Sequence, residues 1–146
     1  SVVEFNKLLP TVRANREIHV LAASRDARHT SFDGRLPALQ TALDWFANRT
    51  ARALLQTTTR DFLLGFHCFS EEAAEKIFSR TRLKSRAHAI EALALGERFG
   101  YAVHEIPVTV QCEAKPPALD IMDCLQMFSE TIRIRWWFSR GKYSFA

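Results

Sequence analysis

Three short apolar runs alternating with helical patterns constrain the fold of this chain more than any other feature. Residues 18–23, 63–69 and 101–110 are apolar enough and short enough to be strands. The intervening segments carry apolar residues at helical spacing, which gives the element order α-β-α-β-α-α-β-α. This alternation predicts an α/β layered domain rather than a helix bundle.

The helices follow from the same spacing and from residues that favour helix ends. Ser70 is expected to cap the third helix, Gly100 to follow the fourth, and Pro107 indicates an edge or bulged strand. Three strands are few for an α/β sheet, and no strand precedes the first helix. The order therefore indicates the second part of a larger α/β unit. The predicted helices cover residues 2–16, 36–56, 70–78, 87–99 and 119–139, and the predicted loops cover residues 24–35 and 111–117.

Composition limits the class of protein. The 146 residues, 47% of them hydrophobic, suffice for a single domain spanning residues 1–146 with a sizeable core. Cys68, Cys112 and Cys124 are too few and too scattered for a disulfide framework or a zinc site. No apolar run reaches the length of about 18 residues needed to span a bilayer, and no signal-peptide pattern is present.

The net charge of +4 is concentrated at one end. Residues 131–146 contain four basic residues and no acid, so residues 1–130 sum to zero. Five aromatic residues lie in the same segment. A general nucleic-acid footprint would spread basic residues over a face, so this local pattern does not favour RNA.

The last helix, predicted as an amphipathic element within residues 118–140, is informative by itself. Its apolar stripe could pack on the domain: Leu119, Met122, Leu125, Phe128, Ile132 and Trp136. Aromatic and basic residues then interleave, which favours the interface of an anionic membrane over docking on a protein partner or an RNA backbone, and over simple packing. The candidate membrane or partner contacts are Arg133, Arg135, Trp136, Trp137 and Arg140.

Six stretches resemble, in order, the motifs of a known enzyme family. Residues 23–27 resemble a Gly-Ser-Arg strand end, residues 60–66 an Arg-Asp-Thr-Gln-Cys-Gly-Phe motif, and residues 99–108 a Gly-Tyr…Glu-Val-Pro-Val strand. Together the stretches resemble the C-terminal half of family 2 glycosyltransferases, within them the dolichyl-phosphate β-glucosyltransferase group. The other three stretches are the helix at residues 70–78, the pair Ile90-Glu91 and the closing helix at residues 125–135.

The resemblance implies a partial GT-A fold, a Rossmann-like sheet without its N-terminal nucleotide-binding strands. It also implies transfer of glucose from UDP-glucose to dolichyl phosphate at the cytosolic face of the endoplasmic reticulum membrane. The family holds Mg²⁺ or Mn²⁺ with an Asp-x-Asp motif, which occurs nowhere in these 146 residues. The chain alone is therefore expected to hold no metal, and the nucleotide-binding half would lie upstream or on another chain.

The same resemblance implies roles for individual residues. Asp61 would line the sugar site as the catalytic candidate. The others are Arg25, Arg35 and Lys115 as donor or phosphate ligands, and Gly65 and Glu91 as site-lining residues.

Each candidate also has a structural interpretation. Asp61 could cap a turn or pair with Arg60, Glu91 could be paired inside the fold, and the cations could be solvated. Apolar residues 62–64 replace the family's Thr-Gln-Cys. Two hypotheses therefore stand: an acceptor-side half of a sugar transferase, or a catalytically inactive remnant that serves as a structural or interaction subunit.

Overall fold

A computed structural model describes residues 18–24, 38–108 and 121–143. The predicted helix over residues 2–16 and most of the two predicted loops lie outside this part of the chain. The described residues form a mixed α/β domain with a three-stranded sheet. The elements are β1 (Val20–Ser24), α1 (Ala38–Leu55), β2 (His67–Phe69), α2 (Glu71–Phe78), α3 (His88–Arg98), β3 (Val103–Pro107) and α4 (Ile121–Ser139).

Strand β1 occupies the middle of the sheet, in the order β2-β1-β3. It runs antiparallel to β2 and parallel to β3, with Leu21 opposite both Cys68 and His104. Every β1 residue is buried, because Val20 and Ala22 face the main core while Leu21 packs in a smaller cluster on the other side. Burial on both faces explains why this strand reads as a continuous apolar run.

The second strand is shorter than the sequence indicates. Only His67–Phe69 pairs with β1, whereas the apolar run begins at residue 63. The Asp61 carboxylate accepts a hydrogen bond from the Leu63 amide, which closes a turn, and Gly65 has a φ of +72° that a strand does not accommodate. These two local features override the apolar pattern of residues 63–66.

Several other helix and strand ends are determined by residues near those ends in the sequence. The Ser70 hydroxyl accepts a hydrogen bond from the Ala73 amide at 3.2 Å, which confirms the predicted cap of α2. Gly100 follows α3 with a φ of +86°, as expected at that position. Strand β3 covers less than the predicted residues 101–110 and lies at an edge of the described sheet, in agreement with Pro107.

Helix α4 packs with the face opposite to the predicted one. Its buried residues include Met127, Ile134 and Phe138, whereas Met122 and Leu125 of the predicted packing stripe are 69% and 56% exposed. Both stripes repeat every three or four residues, so periodicity does not distinguish them. The inner face of α4 lies beside α1, and Phe128 and Phe46 line a crevice between the two helices. Among the described helices, none has both the length and the apolar character to cross a bilayer.

Candidate functional site

The carboxyl ends of β1 and β3 meet at one edge of the sheet because the two strands are parallel. Ligand sites of α/β sheets lie at such edges. The segment of residues 60–66 runs along this edge, since the Ala23 amide donates to the Phe66 carbonyl at 2.9 Å. Two stretches that carry the family resemblance, the end of β1 and residues 60–66, therefore lie side by side.

Asp61 is the central acid of this edge and is only 2% exposed. Its Oδ1 accepts from the Leu63 amide at 3.0 Å and from Asn48 Nδ2 at 3.5 Å. Asn48 Oδ1 in turn accepts from the Phe62 amide at 2.8 Å. The carboxylate is thus held within the fold as a turn cap, which is the structural interpretation left open above.

Two further carboxylates fix the backbone that leads to Asp61. Glu97 accepts hydrogen bonds from the Thr58 and Thr59 amides and from the Thr59 hydroxyl, at 2.7 to 3.1 Å. Glu105 Oε1 accepts from the Arg60 and Asp61 amides at 2.6 and 3.2 Å. Together these bonds hold the turn rigidly against α3 and β3.

The sequence predicted none of these supporting contacts. The backbone amides of the segment after α1 need hydrogen-bond acceptors, but nothing in the sequence spacing indicates that Glu97, Glu105 and Asn48 provide them.

The Arg60 guanidinium forms an ion pair with Glu105, with Arg60 Nε 4.0 Å from Glu105 Oε2. At that distance on an exposed side chain the pair adds little stability.

His67 lies on the same face of the sheet as Glu105, and the Asp61 carboxylate is near enough to influence it. Ala22 of the central strand pairs with His67 of β2 on one side and with Glu105 of β3 on the other. Burial lowers the pKa of His67, and the nearby Asp61 carboxylate opposes that shift. Its Nε2 is buried and has no hydrogen-bond partner among the described residues. A neutral imidazole beside a carboxylate can relay a proton, and His67 is not among the site residues that the sequence predicts.

Glu91 is fully buried, and its hydrogen-bond partners are not part of the sheet edge that carries Asp61. Its carboxylate accepts from the Arg82 amide at 3.0 Å, from the Leu83 amide at 2.9 Å and from the Tyr143 hydroxyl. Burial, and next the bond to Glu91, raise the pKa of Tyr143 well above its ordinary value. These three donors satisfy the carboxylate as a paired group inside the fold, the structural alternative considered for it.

The remaining predicted site residues are only partly within the described chain. Arg25, Arg35 and Lys115 lie outside it. Gly65 is exposed, and nothing stands within 4 Å of the position a Cβ would take. Within residues 18–24, 38–108 and 121–143, no group of three or more His, Cys, Asp or Glu side chains is placed to hold a metal ion.

The residues of α4 predicted to contact a membrane or partner differ in exposure. Trp136 is 47% exposed, and the Arg140 guanidinium lies 5.5 Å from its ring centroid. Trp137 instead packs edge-on against Tyr143, with the ring centroids 6.1 Å apart, and the Arg82 guanidinium lies 5.8 Å from its ring. Arg133 is exposed and Arg135 is half-buried.

Comparisons of the chain with protein-family models, curated proteins and solved structures found no match.

Proposed function

We propose that this chain is the acceptor-side portion of a polyprenyl-phosphate sugar transferase that resembles dolichyl-phosphate β-glucosyltransferases. The proposal depends on one observation: the segment of residues 60–66 lies along the carboxyl edge of β1, joined through Ala23 and Phe66. Arg25 follows that edge directly in the sequence. The enzyme would act at the cytosolic face of the endoplasmic reticulum membrane, where its lipid acceptor resides.

The proposed roles follow the chemistry of the two substrates. Asp61 would orient the donor sugar, and Arg25 would bind the donor phosphates, a task suited to a bidentate guanidinium. Arg35 and Lys115 would hold the acceptor phosphate. Because that acceptor is already an anion, positioning by cations matters more than a strong base.

The nucleotide-binding half would come from outside this chain. An Asp-x-Asp motif there would hold Mg²⁺ or Mn²⁺, whose charge offsets that of the departing diphosphate. This chain would contribute the residues that position the two substrates.

A second candidate is a catalytically inactive remnant that serves as a structural or interaction subunit. Phe62, which stands where the family has a polar residue, is 2% exposed and belongs to the main core. The Asp61 and Glu91 carboxylates are both bound by groups of the protein itself. These packing roles would persist after catalysis was lost.

An assay for glucosyl lipid formation separates the two candidates. The chain is incubated with UDP-glucose, dolichyl phosphate in detergent and Mg²⁺ or Mn²⁺, first by itself and then with a separately produced donor-side domain that carries Asp-x-Asp. We expect no product from the chain by itself and transfer in the mixture. Asp61→Asn should lower that transfer by about 10²-fold or more, whereas Glu75→Gln on the exposed side of α2 should leave it unchanged.

Three results would overturn the proposal. Transfer by the isolated chain would show that the donor half is not needed. A folded chain that yields no product in the mixture, or equal transfer by the Asp61→Asn and Glu75→Gln variants, would favour the remnant. Circular dichroism of each variant establishes that it is folded.

A further inference from the structure

Helix α4 carries two apolar faces, and one of them packs against the other described residues of the domain while the other is largely exposed. The inner face includes Met127, Ile134 and Phe138, all 7% exposed or less. The other, here called the outer face, consists of large apolar side chains that are 40% to 69% exposed: Ile121, Met122, Leu125, Phe128, Ile132 and Trp136. A continuous exposed apolar stripe of this kind marks an interaction surface.

Arginine residues border the outer face on both sides. Arg133 and Arg135 follow Ile132 by one and three residues, which at about 100° per residue places them on opposite sides of the stripe. Arg140 lies against Trp136 at the end of the helix, 5.5 Å from the ring centroid. The stripe therefore ends in, and is flanked by, guanidinium groups.

The acids of α4 lie on the domain side. Asp123 pairs with Arg86 at 3.8 Å, and Glu130 is 7% exposed and accepts a hydrogen bond from the Ser85 hydroxyl at 2.6 Å. Within α4 the outer face consequently combines an apolar stripe with cations and with no carboxylate. The outer face is therefore complementary to a surface with an apolar interior and anionic groups at its boundary with water.

Helix α1 extends the surface beside Phe128. Phe46 is 54% exposed and lines the crevice between α1 and α4 together with Phe128. The 19 residues of α4 form a rod about 28 Å long. The outer face is long enough to lie along a membrane surface, with the domain behind it.

We propose that the outer face of α4 lies flat on an anionic lipid membrane. The aliphatic side chains would enter the boundary between headgroups and acyl chains, Trp136 would lie at headgroup depth, and Arg133, Arg135 and Arg140 would contact lipid phosphates. An RNA backbone would leave Ile121, Leu125 and Ile132 exposed to water. The inference rests on α4 and holds whether or not the chain takes part in sugar transfer.

Co-sedimentation with lipid vesicles tests this orientation. The full 146-residue chain is mixed with vesicles of phosphatidylcholine, with or without phosphatidylserine. We expect tighter binding to the anionic vesicles and weaker binding as salt is raised. Replacing both Arg133 and Arg140 with Ser should weaken binding about fivefold per cation, while Arg52→Ser with Lys84→Ser, a matched charge change at other exposed positions, should not.

A second variant pair tests the apolar contact. Leu125→Ser with Ile132→Ser should abolish vesicle binding and leave the far-ultraviolet circular dichroism unchanged, because both side chains are exposed. Equal binding by this variant and the parent chain would overturn the proposal. So would failure of the parent chain to bind anionic vesicles, or a dimer in sedimentation equilibrium that becomes monomeric in this variant, since the face would then be an interface between copies. Preferential binding of RNA over vesicles would overturn it as well.

Discussion

Replacing Tyr143 with phenylalanine removes a hydroxyl from a side chain that is 2% exposed and keeps its ring contacts. The ring packs near Trp137 and Phe138, with centroids 6.1 and 5.0 Å away. What the substitution eliminates is the hydrogen bond from the hydroxyl to the Glu91 carboxylate. Tyr143→Phe therefore tests how much the bond to Glu91 contributes to stability.

The magnitude follows from the burial of both partners. A hydrogen bond to a charged acceptor contributes about 1.5–3 kcal/mol, and a buried group left short of a partner incurs a further cost. Glu91 is fully buried but keeps two amide donors, from Arg82 and Leu83. We expect a loss of about 2–3 kcal/mol in the free energy of unfolding.

Urea denaturation followed by circular dichroism at pH 7 gives this free energy, since a domain of this size is expected to unfold cooperatively. Tyr101→Phe is the matched control, because the Tyr101 hydroxyl donates at the surface to Glu72. The control should change stability by less than about 0.5 kcal/mol. Equal losses for Tyr143→Phe and Tyr101→Phe would show that the bond to Glu91 does not stabilise the core.

The same hydroxyl gives stability an alkaline limit. The pKa of Tyr143 is raised in the folded chain, so folding favours the protonated form. The contribution of the Tyr143 hydroxyl to the stability of the fold is complete below the ordinary tyrosine pKa of about 10 and is lost as pH rises above that value. The fall in urea midpoint above about pH 10 should be smaller in Tyr143→Phe than in the parent chain.

Two smaller effects involve His67 and Ser70. Burial lowers the pKa of His67, so its contribution to the stability of the fold is complete above about pH 6.5 and is lost as pH falls below that value. In His67→Gln the urea midpoint should therefore depend less on pH between about pH 7 and 5. If the midpoint falls as steeply with pH in this variant as in the parent chain, the burial argument is contradicted. Ser70→Ala removes the α2 cap and should cost about 1 kcal/mol in urea denaturation, whereas Ser79→Ala, at an exposed helix end, should cost less than about 0.5 kcal/mol. Equal costs would show that the bond to the Ala73 amide does not stabilise the helix.

The sequence predicted those features that depend on neighbouring residues. The buried central strand follows from an uninterrupted apolar run, the α2 cap from Ser70, and the end of α3 from Gly100. Each is decided within a few residues, so a local pattern suffices. The predicted start of β2 was wrong because the hydrogen bond from the Leu63 amide to Asp61 closes a turn and Gly65 adopts a positive φ, so pairing with β1 begins only at His67.

Features that depend on distant partners could not be predicted. Which face of α4 packs is decided by α1 and by the groups that pair with Asp123 and Glu130, and both faces show the same apolar spacing. A lone acid within an apolar helix indicated that Glu91 needs a partner. That its partners include Tyr143, 52 positions further along the chain, is a property of the folded structure.

The contact between Tyr143 and Glu91 also makes the core sensitive to proteolysis at a distant point. A cut after Arg140 would remove both the hydroxyl bound to Glu91 and the Lys142 carbonyl, which accepts from the Arg82 guanidinium at 3.0 Å. The loss of Lys142 and Tyr143, which lie beyond the end of α4, would thus remove contacts to Arg82 and to the first turn of α3.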